Sequence, residues 1–213
     1  MAEPARATTA PRAGRRPRTS AEAIVNAAIA LVDEGGATAL SIRRLAERLA
    51  VDPMTIYGYV PGKAALIDRI LLTILAETEA DLSDPDWLAQ TRAVLHAHRG
   101  AFVAHPRAFP LLFGQVTSPE VWERVAVLQG LLQRHLGADG ASRWMRILVG
   151  YVNGFLASEL DLAEADPAAV AELTRHHPVL ARLADRSRAQ LDADFDEGLT
   201  ALLDRMSASA AGR

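Results

Sequence analysis

The chain of 213 residues contains no cysteine, a single lysine and few aromatic residues. The absence of cysteine excludes disulfides and metal sites with thiolate ligands. No uninterrupted apolar run reaches the roughly 18 residues of a membrane-spanning helix. The N-terminal arginines are not followed by the apolar segment of a signal peptide. We therefore expect a soluble, cytoplasmic protein with no membrane partner.

The motifs of the common enzyme classes are also missing. There is no glycine-rich phosphate loop, no HExxH metal motif and no serine in a nucleophile-elbow setting. Asp192 and Asp196 are spaced to share an exposed helix face, where solvation explains them. His98 and His105 could share a helix face, but no carboxylate is suitably spaced beside them in the sequence. We predict no catalytic residues, no metal site, no cofactor and no enzymatic activity.

Charge is distributed unevenly, although the net charge is only −3. Residues 1–63 contain nine Lys and Arg against six Asp and Glu, whereas the remaining 150 residues contain fourteen against twenty. The basic end is where contacts with nucleic-acid phosphates are expected. Residues 1–18 lack periodicity and predict a disordered basic arm. This arm either follows DNA through Arg15, Arg16 and Arg18 or is merely a solvated tail.

The rest of the sequence shows helical periodicity without sustained two-residue alternation, which predicts an all-α fold. A capping box formed by Thr19 and Glu22 predicts the start of the first helix, and Gly35 with Gly36 predicts its end. Prolines and glycines divide the later sequence. Helices are expected near residues 63–82, 85–104, 107–114, 118–136, 139–163, 167–175 and 187–206.

Residues 40–63, LSIRRLAERLAVDPMTIYGYVPGK, have the pattern of two short helices joined by a tight turn. Ser41 and Asp52 are predicted to be the N-caps of these helices, and Pro53 occupies a first position where no N–H is needed. This arrangement is typical of a helix-turn-helix whose second helix lies in a DNA groove. The alternative is a helical hairpin whose polar residues are only solvated.

The second of these helices is expected to present one face outward. The outward residues are predicted to be Pro53, Met54, Thr55, Gly58 and Tyr59, with Ile56, Tyr57 and Val60 facing inward or the rim. Thr55 can bond to a base or contact a thymine methyl, and Met54 offers apolar contact. Arg43 can reach a base or a phosphate, and Tyr59 a phosphate. Lys63 opens the next helix, where free N–H groups also favour phosphate.

The chain resembles the TetR family of transcriptional repressors in its first helix, in LSIRRLAERLAV and in PMTIYGYVPGKAALID. Val60 makes the last segment most similar to the tetracycline-repressor branch. The resemblance implies a three-helix DNA-binding domain over residues 19–63, with Tyr57 and Lys63 as contacts, and a helical domain over residues 64–213. Gly58 stands where a larger side chain is usual, so no operator sequence is carried over. The predicted DNA-binding residues are Arg18, Thr19, Ser41, Arg43, Arg44, Pro53, Met54, Thr55, Tyr57, Tyr59 and Lys63.

The C-terminal part is expected to bind a ligand and to dimerise. Residues 139–163 are apolar on nearly all sides and must be buried on more than one face; the last helix carries a stripe of Leu191, Phe195, Leu199, Leu202, Leu203 and Met206. The resemblance implies that both helices form a four-helix interface in a homodimer; the alternative is that both are the core of a monomer. An effector pocket needs apolar walls with a few polar groups. The predicted ligand-binding residues are His98, Phe102, His105, Phe109, Phe113, Gln115, Trp122, Trp144, Tyr151 and Asn153.

The leading hypothesis is a ligand-responsive repressor that binds palindromic double-stranded operator DNA and is released by a small-molecule effector. A transcriptional activator is one alternative. A helical ligand-binding or adaptor protein with vestigial DNA binding is the other. No tetracycline specificity is predicted.

Overall fold

The structure is a computed structural model that describes residues 19–114, 118–164, 166–177 and 187–211. A 3₁₀ helix, Pro106–Phe113, lies between α5 and α6. The α-helices are α1 (Ala21–Ala39), α2 (Ile42–Leu49), α3 (Pro53–Tyr57), α4 (Lys63–Ala76), α5 (Trp87–Ala104), α6 (Pro119–Glu164), α7 (Pro167–His176) and α8 (Arg188–Ala211). No strand occurs in these ranges, and the all-α prediction is confirmed. None of the described helices combines the length and the apolarity needed to cross a membrane.

Helices α1 to α4 form the N-terminal unit around a small apolar core. Ile24, Leu45, Ile56 and Leu66 are completely buried there, so one side chain from each helix meets at the centre. Burial of such side chains is worth about 1.5–3 kcal/mol each. This core holds α3 in a fixed position although the helix has only five residues.

The start of α1 differs from the prediction by one residue. Ser20, not Thr19, has extended backbone angles, and its hydroxyl accepts a hydrogen bond from the Ala23 amide at 3.1 Å. The capping box of Thr19 and Glu22 was therefore wrong. Gly36 has a φ of 70°, which breaks the helical geometry near the predicted end of the first helix. Glycine is favoured there because a side chain is strained at positive φ.

Other helix boundaries also moved. Helix α4 ends at Ala76, six residues before the predicted end at Leu82. The predicted helix near 107–114 is a 3₁₀ helix with Pro110 inside it, consistent with the missing N–H of proline. The two helices predicted on either side of residues 137–138 are confirmed as the two parts of α6, which meet at Gly137, where a φ of 67° and a ψ of 174° are not helical.

The C-terminal half is organised around α5, α6 and α8. Phe102, Leu148, Leu156 and Phe195 from these three helices are completely buried. The predicted stripe on α8 is largely internal, because Phe195, Leu199, Leu203 and Met206 pack against the same chain. These four residues belong to the core of the chain, whereas Leu191 and Leu202 of the same stripe are half-buried.

A buried cluster of charges joins the same three helices. The Arg99 guanidinium donates to both carboxylate oxygens of Glu159, at 3.0 and 3.1 Å, and to Asp192 at 2.8 Å. Arg188 adds a 2.6 Å bond to Glu159, and the Phe195 ring lies 4.7 Å from the Arg99 guanidinium carbon. Asp192 is thus a partner in an ion-pair network. The prediction that Asp192 and Asp196 are only solvated was wrong, since Asp196 also bonds to His96 at 2.8 Å.

Candidate DNA-binding surface and effector groove

The turn between α2 and α3 is built from local capping bonds. The Ser41 hydroxyl accepts from the Arg44 amide at 3.2 Å, and the Asp52 carboxylate accepts from the Met54 amide at 2.7 Å. Both predicted N-caps are confirmed. Between them, Ala50 ends α2 in the left-handed region with a φ of 51°. These contacts satisfy amides that a helix start otherwise leaves free.

One face of α3 is exposed. The Met54 side chain is 73% exposed and that of Tyr57 is 47% exposed, which is unusual for large apolar groups. Pro53 is exposed beside them, and Thr55 is half-buried. Gly58 was expected to lie inside the helix, but it is the residue that caps the C-terminus of α3. A surface of this kind has apolar groups and the hydroxyls of Thr55 and Tyr57 available for base edges.

Cations flank this face. Arg43, Arg44 and Lys63 are exposed, and Arg43 forms only a surface pair with Glu47 at 2.9 Å. Such an exposed pair is worth little and can exchange for a phosphate. No side chain caps the N-terminus of α4, so its first amides are open beside Lys63. An anion is favoured at such a helix start.

Two predicted contact residues point into the protein instead. The Tyr59 hydroxyl donates to the Thr19 carbonyl at 2.9 Å, and the Thr19 side chain is buried. Tyr59 therefore braces the start of α1 and does not face outward. Tyr57, which was expected to face inward or the rim and was counted among the DNA contacts, is exposed. The sequence held a signal for this, because Tyr59 lies three residues after buried Ile56. Arg18 lies outside the described residues.

A groove of about 630 Å³ lies between the end of α1, the 3₁₀ helix and the C-terminal part of α6. Its walls are formed mainly by Phe109, Pro110, Phe113, Ala157 and Leu160. Gly35 and Gly36 of α1 form the opposite wall, next to Arg107 and Asp161. A groove with apolar walls and a few polar groups suits a small organic ligand.

Three of the predicted ligand residues form a continuous row of rings leading from the interior to this groove. Phe102 is completely buried and contacts Phe109 edge-on at 5.6 Å, and Phe109 contacts Phe113 edge-on at 5.2 Å. Phe113 is 67% exposed at the outer end of the row. Phe109 and Phe113 therefore lie where a ligand would touch them, whereas Phe102 supports them from behind.

At the inner end of the row lies a half-buried polar pair. His98 contacts Phe102 edge-on at 5.3 Å, and its Nε2 donates to Asn153 Oδ1 at 2.9 Å. Burial lowers the pKa of His98, although the bond to Asn153 opposes this. The imidazole is therefore neutral at physiological pH. Asn153 has a hydrogen-bond partner for its half-buried amide.

The other predicted ligand residues lie apart from the groove. Trp144 is buried and its indole N–H donates to Ser209 at 3.1 Å, while the Tyr151 hydroxyl donates to the Phe195 carbonyl at 2.8 Å. Both residues fasten α8 to α6. Burial raises the pKa of Tyr151, so its hydroxyl stays protonated. Trp122 is exposed on the N-terminal part of α6, and Gln115 lies outside the described residues.

His105 does not line the groove but lies where α5 meets the N-terminal unit. Its Nδ1 donates to Asp33 at 3.0 Å and its Nε2 donates to Glu77 at 3.0 Å. The expectation that no carboxylate accompanies it was wrong, because both partners come from distant parts of the sequence. Among the described residues, no group of three or more His, Asp or Glu is arranged to hold a metal ion.

Sequence reasoning missed Arg107 in the 3₁₀ helix. Its guanidinium donates to the carbonyls of Asp33 and Glu34, at 3.1 and 2.5 Å, near the end of the first part of α1. Glu34 in turn accepts two 2.7 Å bonds from Arg48 of α2, and this lowers the pKa of Glu34. The 3₁₀ helix thus forms one wall of the groove and also contacts α1, which is in turn paired with α2. A lone arginine after a proline gave no signal for this role.

Comparisons with known proteins agree with this architecture. Residues 24–70 match the family "Bacterial regulatory proteins, tetR family", and residues 80–209 match the family "Tetracyclin repressor-like, C-terminal domain". The second match alone covers more than half of the chain. The first family spans the helix-turn-helix and the α1 wall of the groove, and the second spans the rest of the groove, the buried charge cluster and most of α8.

Individual proteins are similar to this chain over most of its length. It is 29% identical over 161 residues to the HTH-type transcriptional repressor DrrR1 of Streptomyces coeruleorubidus, covering 73% of this chain and 59% of that protein. It is 26% identical to the class A tetracycline repressor from transposon 1721 of Escherichia coli, with 86% and 88% covered. The crystal structure of Streptomyces coelicolor ActR in complex with actinorhodin has the same fold, with a TM-score of 0.71, 23% identity and 89% and 96% covered.

Proposed function

Since this chain belongs to the TetR family of bacterial transcriptional regulators, we propose that it is a ligand-responsive repressor. In this proposal the chain binds palindromic operator DNA as a homodimer, and a small-molecule effector releases it. The observation that carries the proposal is the exposed face of α3, where Met54 and Tyr57 stand out from a rigid three-helix unit.

The proposed division of labour follows from the surface around α3. Met54, Thr55 and Tyr57 face the base edges, since apolar groups and hydroxyls are what the major groove can discriminate. Arg43, Arg44 and Lys63 hold phosphates on either side. Ser41 acts by capping α2 rather than by contact. In this scheme residues 19–63 form the DNA-binding domain, and residues 64–213 form the effector and dimerisation domain.

The proposed dimer surface is the side of α6 that its own chain leaves open. Gly150, Gly154 and Ser158 recur along an exposed stripe, with Ile147 partly exposed at one end. A side chain added at Gly150 or Gly154 would meet nothing within 4 Å in the same chain. Small residues let two helices approach closely, and a two-fold dimer would present two recognition helices to one palindrome.

The proposed effector is a small organic molecule that sits against Phe109 and Phe113 in the groove. The binding of actinorhodin by ActR, which has the same fold, supports such an effector for this chain as well. A ligand between the 3₁₀ helix and α1 would strain the Arg107 bonds to α1. The ligand would thereby favour a state with lower DNA affinity. It can do so only by binding that state more tightly than the DNA-bound state.

Footprinting of the DNA that flanks the chain's own gene tests the proposal. We expect protection of two inverted half-sites whose centres lie about 34–36 Å, one helical turn, apart or a multiple of that. Protection should disappear on random DNA of equal length at physiological salt. Absence of any protected palindrome, with folded protein, would favour the adaptor alternative and contradict the proposal.

The dimer is tested separately by Gly154→Leu. We expect the variant to remain folded but to shift toward the monomer mass in analytical ultracentrifugation, with loss of footprinting on the full palindrome. Ala126→Leu is the matched control, because Ala126 is exposed on the other part of α6. If Gly154→Leu stays as dimeric as the control variant, the dimer surface lies elsewhere.

A further inference from the structure

The His105 ring connects the end of α5 to α1 and to the end of α4 through hydrogen bonds to two carboxylates. His105 follows the last residue of α5, and its ring is bonded to Asp33 of α1 on one side and to Glu77, just after α4, on the other. Its side chain is only 16% exposed. Helix α1 lies in the proposed DNA-binding domain and α4 packs directly against it, so one imidazole links the end of α5 to both helices.

The number of protons on the ring decides whether both bonds exist. A neutral imidazole has one N–H and one lone pair, whereas an ionised carboxylate can only accept. The two 3.0 Å contacts to carboxylates therefore require the doubly protonated imidazolium. Burial opposes this charge, but hydrogen bonds and attraction from Glu77 and Asp33 outweigh it and raise the pKa of His105.

Other charged groups lie near this junction. Arg107 bonds to the Asp33 carbonyl, and Arg124 of α6 bonds to the Leu75 carbonyl at the end of α4. Glu34 is paired with Arg48, and Glu79 lies 4.0 Å from Arg124. The other charged residues of α1 and α4 are Glu22, Lys63, Arg69 and the buried Asp68. Arginines and exposed carboxylates do not titrate between pH 6 and 8, whereas histidine does.

We propose that His105 is a proton-dependent clamp between the effector half and the DNA-binding unit, and that loss of its proton weakens operator binding. The inference rests on the proposed repressor function. With the proton gone, one carboxylate faces a lone pair, and either α1 or the end of α4 is released. The recognition helix α3 is then held less rigidly. Operator binding must therefore restore a helix position that the clamp had previously fixed.

The experiment measures operator affinity by fluorescence anisotropy between pH 6 and 8 at constant ionic strength. We expect affinity to fall about threefold to tenfold as pH rises, because a tenfold difference corresponds to one pKa unit between the free and clamped ring. His105→Gln should bind with little pH dependence. His96→Gln is the matched control, since His96 pairs with Asp196 at 2.8 Å but lies wholly within the C-terminal half. It should keep the wild-type pH profile.

An NMR titration of the histidine rings in the DNA-free protein separates the clamp from the function. The ring signal missing in His105→Gln identifies His105, whose midpoint should lie above the usual histidine range and fall in Asp33→Asn and in Glu77→Gln. These two variants should also flatten the pH dependence of operator affinity, which keeps the test valid if His105→Gln does not fold. A usual midpoint, or identical pH profiles for wild type and the three variants, would overturn the clamp. Absence of operator binding at every pH with a raised midpoint would instead contradict the repressor function.

Discussion

Helix α5 and its C-cap residue lie in two regions that shift the pKa of a histidine in opposite directions. In the interior of the C-terminal half, His98 is neutral and Arg99 is enclosed by carboxylates and aromatic rings. At the junction with the N-terminal unit, burial opposes the charge of His105, but the hydrogen bonds to Glu77 and Asp33 outweigh it and raise the pKa of His105. A fixed interior and a titratable junction therefore meet on one helix. The first gives stability that does not depend on regulation, and the second gives a contact that conditions can alter.

The largest effect is expected from breaking the fixed interior. Arg99→Met should lower the free energy of unfolding by about 3–5 kcal/mol, because Glu159 would remain buried with Arg188 as its only cation. Urea denaturation measures this loss. Arg43→Met removes a cation from an exposed pair and should change stability by less than about 1 kcal/mol. Equal, small losses in the two variants would show that the Arg99 cluster does not stabilise the interior.

A second substitution probes how tightly that interior is packed. A Cβ added at Gly198 would lie 2.3 Å from the Tyr151 hydroxyl oxygen, so Gly198→Ala must displace a side chain that fastens α8 to α6. We expect a loss of about 1–3 kcal/mol. Gly130→Ala is the control, because its added Cβ would have only the end of the Arg134 side chain nearby, at 4.0 Å. A thermal midpoint of Gly198→Ala equal to that of the control would contradict the packing described for α8.

The two histidines should give opposite pH dependences of stability. His98 has a lowered pKa in the folded state, so its contribution is complete above the unfolded value near 6.5 and is lost as pH falls. His105 has a raised pKa, so its contribution is complete below about 6.5 and is lost as pH rises through the folded value.

Differences between wild type and variant, measured by urea denaturation from pH 5 to 8, separate these two contributions. His98→Gln should lose less stability relative to wild type at pH 5 than at pH 7. His105→Gln should lose most relative to wild type at the acid end. If the loss of stability relative to wild type changed with pH in the same way in both variants, the contrast between interior and junction would be contradicted.

The smallest expected effect is that of a substitution within the N-terminal unit. Tyr59→Phe removes only the hydroxyl that bonds to the Thr19 carbonyl, and we expect a loss of about 0.5–1.5 kcal/mol in stability. DNA affinity should be nearly unchanged, since Tyr59 does not face outward. A large loss of DNA affinity without a loss of stability would return Tyr59 to the contact surface.

The parts of the fold that could be predicted depend on short-range contacts. Ser41 and Asp52 cap their helices through amides two or three residues away, so a local pattern was sufficient to find them. The same spacing logic, applied to Ile56, would have placed Tyr59 correctly. The error at Thr19 came from two adjacent residues that can both cap, a choice that backbone geometry decides.

The junction could not be predicted in this way. His105 lies 72 residues from Asp33 and 28 from Glu77 in the sequence, and only the packing of α1, α4 and α5 brings them together. Arg107 reaches carbonyls more than 70 residues away for the same reason. The ligand residues were chosen by type, and type alone could not distinguish Phe109 at the groove from Trp144 in the core.

The central claim is that α3 discriminates sequence while Lys63 holds the phosphate backbone. A salt series of anisotropy titrations with operator and random DNA tests it most directly, using Thr55→Ala and Lys63→Ala. We predict that Thr55→Ala weakens operator binding by about 1–3 kcal/mol and spares random DNA. Lys63→Ala should weaken both and reduce the salt slope by about one. If both variants bind operator and random DNA as the wild type does at every salt concentration, the account is contradicted.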